Sequence, residues 1–179
     1  MFPPIPDGVL ALSFGSFDWK TSAGEDRYRR GLYTFWKRAN PYPSMAVFDA
    51  PAAEKSCSRR TQSNTPLQAL TTLNDAAFHE CAQALALRIT KDSGLDDRSR
   101  AMHAFRLCTG RLPEERELSA LLQLLENEKR TFEQDTTQAI KVALQDPAKV
   151  PQGVNVHHAA AWTMVSRVLL NLDETLTKE

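Results

Sequence analysis

Arg59-Arg60-Thr61-Gln62-Ser63-Asn64-Thr65-Pro66-Leu67-Gln68-Ala69-Leu70 runs on, two residues later, into Leu73-Asn74-Asp75. The stretch holds a helix start, a basic pair and a polar cluster. Asn64 or Thr65 can cap a helix, and Pro66 suits the first helical position, where its missing N–H would have no partner. Leu67, Leu70 and Leu73 recur every three residues and so share a helical face. Asn74-Asp75 reads as a break and a second cap. A short helix over about 66–73 follows, with a longer one from Asp75 to about Lys91.

Downstream the pattern stays helical. Phe78, Cys81/Ala82, Leu85 and Ile89 form one stripe, and Ser93-Gly94 breaks it. Asp96 or Asp97 can cap the next helix, which carries Met102, Phe105 and Cys108 and stops at Gly110. Pro113 opens a helix with Glu114, Glu115 and Glu117 in its first turn and a stripe of Leu118, Leu121, Leu122, Leu125 and Phe132. A shorter amphipathic stretch covers about 137–145, and a Pro/Gly loop covers 146–156. The last helix is expected from His158 to Leu176, where Trp162, Val165, Leu169, Leu172 and Leu176 repeat at helical spacing.

Upstream, residues 1–24 are rich in Pro, Gly, Ser and aromatics. Phe14, Phe17 and Trp19 suggest an extended arm that packs its rings. Gly24-Glu25-Asp26 is expected to start a helix to about Arg38, with early acids at the positive end of its dipole. Tyr28, Leu32, Phe35 and Trp36 would line it, and Asn40-Pro41-Tyr42-Pro43 would end it. Residues 41–63 read as a long loop with one short piece at Met45, Val47 and Phe48. Long ordered loops often carry function. The expected fold class is all-α: an irregular bundle of five or six helices over residues 25–179, preceded by the arm at 1–24.

The chain has 179 residues, 42% hydrophobic and 25% charged, with zero net charge. Residues 1–66 hold nine Lys/Arg against six Asp/Glu, and residues 67–179 hold thirteen against sixteen. So small an asymmetry does not mark a nucleic-acid binder. It suits contact between a basic arm and an acidic helical body. No stretch approaches the roughly 18 apolar residues of a membrane span, and Met1-Phe2-Pro3-Pro4 is no signal peptide.

Cys57, Cys81 and Cys108 are isolated, with no haem-attachment or zinc-ligand spacing, so no cofactor is expected in this chain. Cys81 and Cys108 read as core thiols. Arg29-Arg30 and Arg59-Arg60 are either an anion clamp, since guanidinium forks match oxyanions, or partners for Asp49, Asp75, Glu80 or Asp173. Asp75 and His79 stand four apart and could share a helix face. His157-His158 point different ways on a helix and suit a helix start near Asn155. Tyr33-Thr34-Phe35-Trp36-Lys37-Arg38 could stack on a sugar or base, or receive the arm. No nucleophile elbow, zinc-protease motif, P-loop or dinucleotide glycine motif occurs. The candidate cluster, anion-binding or structural, is Asp49, Arg59, Arg60, Asn64 and Asp75, and no residue is assigned as catalytic, cofactor-binding or metal-binding.

Several blocks in order carry a resemblance. They are Gly24 to Arg38, Phe48-Asp49-Ala50-Pro51, Arg59-Arg60-Thr61 with Asn64 to Leu70, and Leu73-Asn74-Asp75. Ala104-Phe105-Arg106 with Gly110-Arg111 follows, then Ala161-Trp162-Thr163 with Leu169 to Glu174. Together they resemble the planctomycete domain of unknown function PSD-one, across roughly residues 4–179. Gln62 and Ser63 depart from it where a basic residue is common, as does Ala53 in a usually more polar stretch. The resemblance implies the C-terminal module of a large exported protein with a cytochrome c-like domain upstream. On that basis the chain is expected to be a fragment, exported or periplasmic, whose partners are the upstream domains of the same protein. It implies no catalytic residues. The leading expectation is a non-catalytic module that docks on, or completes, that larger protein. The rivals are a carbohydrate-active or other enzyme built around Arg59, Arg60, Asp49 and Asn64, and a redox module contacting the haem domain.

Overall fold

Thr65 caps α2 (Pro66–Asn74) through a reciprocal box. The Gln68 amide donates to the Thr65 hydroxyl, and the Thr65 amide donates to the Gln68 side chain at 3.0 Å. Two donors that the helix start would otherwise leave open are thus satisfied. These details come from a computed structural model that describes residues 1–5, 18–37, 41–91, 95–146 and 153–177. Among those residues the protein is all helical, with no strand. It divides into two compact units, Met1–Ala77 and Phe78–Glu179.

The first unit is thinly built. α1 (Pro43–Val47) is the short piece expected at Met45 and Val47, and α2 follows the 48–65 loop. The helix expected from Gly24 to Arg38 does not form. Two 3-10 turns, Gly24–Tyr28 and Gly31–Tyr33, replace it. Gly24 sits at φ +60°, and Arg29 and Arg30 are extended. Gly31 falls where a continuous helix would lose roughly 1 kcal/mol relative to Ala. Leu32, expected on the packed face, is 81% exposed.

The rings gather elsewhere. Phe2 packs in a tilted arrangement at 4.9 Å on Phe35, and Trp19 lies edge-on 5.3 Å from Phe2 and stacked 6.2 Å from Tyr42. The Trp19 indole donates to the Pro3 carbonyl at 2.7 Å, and the Phe35 amide to the Met1 carbonyl at 2.8 Å. Phe14 and Phe17 lie outside the described residues. Tyr42 is the one large apolar side chain that this unit buries among its described residues.

The second unit carries the core. Its helices are α3 (Ala76–Thr90, which starts at the end of the first unit), α4 (Asp97–Thr109), α5 (Glu115–Gln134), α6 (Thr136–Ala143) and α7 (Val156–Leu170), with a short α8 (Asp173–Leu176). α7 is the central rod, packed chiefly by α5 and α6. Trp162, Val165 and Leu169 are fully buried on it, at about 1.5–3 kcal/mol each. Ala82, Ala86, Ala104, Ala139, Ala160 and Ala161 are buried too, and their small side chains let neighbouring helices approach closely.

The last helix is shorter than the sequence pattern suggests. It ends at Leu170, and Leu172 becomes the residue preceding α8. Cys81 also differs from expectation: it is exposed, while its neighbour Ala82 faces the core beside Ala86 and Ile89. One position along a helix turns the side chain by about 100°. Gly110 takes φ +85° as the left-handed stop of α4. Beyond it, Arg111 lies 4.8 Å over the Phe105 ring and forks to both Glu117 and Glu174. The Arg111 hydrogen bond, with help from the Glu114 amide, holds the Glu117 carboxyl down to about 2.

Candidate functional site

The residues singled out near the α1–α2 loop are placed as follows. Asp49 sits at φ +56°, in the left-handed region that Asp and Asn tolerate better than most residues. That turn swings its carboxylate toward the end of the loop, where it accepts the Ser63 amide at 2.8 Å and the Ser63 hydroxyl at 2.7 Å. Arg60 crosses back and donates to the carbonyls of Phe48, at 3.1 Å, and Asp49, at 3.4 Å. Beneath them the buried Gln68 amide donates to the Val47 carbonyl at 3.0 Å and to the Ser63 hydroxyl at 3.2 Å.

Asp49 and Arg60 are therefore brought together, but Arg60 takes backbone oxygens and not a carboxylate. Arg59 and Asn64 are exposed. Asp75 stands apart from the loop lock. It accepts the Ser44 hydroxyl at 3.2 Å and the Ala77 amide at 2.8 Å, so it does cap α3. Arg29 pairs with Asp26, three residues away, at 2.5 Å. The loop lock depends on Ser63 and Gln68, which sequence reasoning passed over as site residues. The helix-start signal at Thr65 to Gln68 was the available clue to Gln68.

A second polar cluster lies in the other unit and was not legible in advance. Asp97, at the start of α4, accepts from Lys129 of α5. It also faces His158 Nε2 of α7 at 3.2 Å and Arg100 Nη1 at 3.3 Å. The Trp162 indole donates to the same His158 Nε2 at 3.1 Å. His158 is the expected helix-start histidine, with its amide donated to the Asn155 side chain at 3.1 Å. His157 instead reaches the Phe132 carbonyl at 2.7 Å.

Burial pushes the Asp97 carboxyl up, yet the hydrogen bonds from Lys129 and His158 outweigh it and leave Asp97 below the usual range. Burial lowers His158. Asp97 opposes that, Lys129 and Arg100 reinforce it, and the ring stays less basic than a free histidine. His79 is lowered too, by burial and then by Arg167, against Glu80. Its Nε2 lies 3.2 Å from the Gln83 amide nitrogen, which also donates to the Val142 carbonyl at 2.9 Å. A neutral His79 ring accepts that contact.

Among the described residues no group of three or more His, Cys, Asp or Glu is placed to hold a metal ion. No helix there is long and apolar enough to cross a membrane. The arrangement is that of a helical domain whose polar clusters tie elements together. The chain belongs to the family PSD1, protein of unknown function (DUF1553), whose model matches residues 3–125. No curated protein and no solved structure matches the chain.

Proposed function

We propose that this chain is a non-catalytic helical module that docks on the upstream domains of a larger exported, cytochrome c-like protein. One observation carries the reading. Tyr42 alone among the described large apolar side chains of the first unit is buried, while Leu32, Leu67, Leu70, Tyr28 and Tyr33 are each more than half exposed. Exposed apolar side chains gathered in one unit supply what an interaction surface would need. A unit of this size also buries little surface on its own account.

The loop residues support the same reading. The Asp49 carboxylate is taken by Ser63, and Arg60 by two carbonyls, so both serve to fix the loop. A groove of about 380 Å³ is lined by Pro43, Val47, the exposed Leu70, Thr71, Asn74 and Asp75. Neighbouring α2, it offers an apolar seat for a partner's side chain. The test is a sedimentation experiment mixing this chain with a cytochrome c-like domain of the kind the proposal places upstream. The expected result is a one-to-one complex that Leu67→Asp with Leu70→Asp abolishes while the circular dichroism spectrum stays helical. Absence of a complex with the unaltered chain would overturn the proposal.

A further inference from the structure

The groove of about 380 Å³ along α1 and α2 has one charged lining residue among those described, Asp75. Its volume falls in the range of small-ligand sites. The Asp75 carboxylate accepts the Ser44 hydroxyl at one oxygen and the Ala77 amide at the other. An ionised carboxylate has about four acceptor sites, so two hydrogen bonds leave roughly half of its capacity. Arg27 and Asp75 both act on the Tyr42 hydroxyl, yet Asp75 forms no ion pair with any described residue.

The other polar side chains of the groove have largely spent their donors. The Ser44 proton goes to Asp75. The Thr71 hydroxyl donates to the Leu67 carbonyl and the Asn74 amide to the Leu70 carbonyl, each at 2.8 Å. What remains is chiefly acceptor capacity. Two helix ends also meet at Asp75: α2 stops at Asn74 and α3 starts at Ala76. Their partial charges, about half a unit each and opposite in sign, offset one another, so Asp75 sets the sign of the groove. Pro43, Val47 and Leu70 supply its apolar surface.

We infer that this groove binds an alkyl chain ending in a cation, presented as a lysine or arginine side chain of the docking partner, with its stem on Pro43, Val47 and Leu70 and its head on Asp75. That source rests on the docking reading; the preference of the groove for a cation does not. Lysine and arginine combine an apolar stem with a charged head. An acidic side chain would meet Asp75 with like charge. A leucine would cover the carboxylate without pairing it, which costs free energy.

The groove is tested by a two-dimensional NMR titration of the full chain with n-butylguanidinium, with n-butanol and butyrate in parallel. The guanidinium should give saturable shifts at the amides of Val47, Leu70 and Asn74. Butanol should bind more weakly and butyrate not at all. Asp75→Asn keeps an oxygen for the Ala77 amide, so the fold should persist, and it should weaken the guanidinium about threefold or more. Butanol or butyrate binding as tightly as the guanidinium, shifts confined to other parts of the chain, or an unchanged affinity in Asp75→Asn would each overturn the assignment. Adding a cytochrome c-like domain then separates the groove from the docking. A complex that Asp75→Asn weakens supports both. A complex of unchanged strength in Asp75→Asn overturns the partner's cation and leaves docking standing. No complex, beside a groove that takes n-butylguanidinium, overturns docking and leaves the cation site.

Discussion

Trp162 Nε1 lies 3.1 Å from His158 Nε2, the ring nitrogen that also lies 3.2 Å from an Asp97 oxygen. One nitrogen cannot accept from the indole and donate to the carboxylate at once. With the proton on Nδ1, Nε2 accepts from Trp162 and only abuts Asp97. In the charged ring Nε2 donates to Asp97, and the indole of a fully buried Trp162 loses its acceptor. That loss adds a structural reason for the depressed basicity of His158.

His158→Ala should destabilise the protein by about 1–3 kcal/mol, because it strands a buried donor. His158→Gln should cost less. A glutamine amide has both an acceptor for Trp162 and a donor for Asp97. Urea denaturation of the two variants checks the order, and equal losses would contradict it.

The pH dependence follows from the same direction of shift. His158 and His79 are less basic folded than unfolded, so the unfolded chain binds more protons as the pH drops. Stability rises with pH wherever the unfolded state holds more protons. The contribution of these rings is therefore complete above about 6.5, the unfolded value, and is lost as the pH falls below it. Asp97 adds a second loss at lower pH, as it falls from the ordinary carboxylate range through the depressed folded value. His158→Gln with His79→Gln should flatten the first phase and leave the second.

Ser166 is fully buried, and its hydroxyl has no hydrogen-bond partner among the described residues. Ser166→Ala should therefore raise stability, by about 0.5–1 kcal/mol, since it removes an unsatisfied polar group and leaves the packing intact. A lower melting temperature for this variant would show that the hydroxyl has a role.

Arg60 is exposed and spends its guanidinium on two carbonyls. Water can replace it there, so Arg60→Ala should cost less than about 1 kcal/mol, and Arg59→Ala nearly nothing. Trp19→Ala should cost more than either, because its ring holds Phe2 and Tyr42 together. Denaturation curves on the three variants test this ranking.

Much of the helical architecture was legible because local signals agreed with tertiary packing. The Thr65-Pro66 start, the Asp96 cap and the Gly110 stop stand where the sequence puts them. The Gly24 to Arg38 block failed because aromatic spacing there imitates an amphipathic stripe, while Gly24 and Gly31 favour turns and Phe35 packs on Phe2. Leu172 continued the spacing of Trp162, Val165 and Leu169, and that periodicity outweighed the weak stop signal of Asn171, the C-cap just past Leu170. The Asp97, Lys129 and His158 cluster left no trace in the sequence. Its members lie 32 and 61 positions from Asp97, and only the packing of α4, α5 and α7 unites them. The Asp49 and Arg60 pairing was half visible: the residues were right, but the carbonyl acceptors depend on a backbone turn at Asp49.

The docking account is tested most directly by hydrogen–deuterium exchange on this chain, alone and mixed with a cytochrome c-like domain of the kind the proposal places upstream. The account predicts slower exchange on mixing within Tyr28–Tyr33 and Leu67–Asn74, where the exposed Leu32, Leu67 and Leu70 lie, with the core helix α7 unchanged. Unchanged exchange in both segments, or protection confined to residues 78–177, would contradict it.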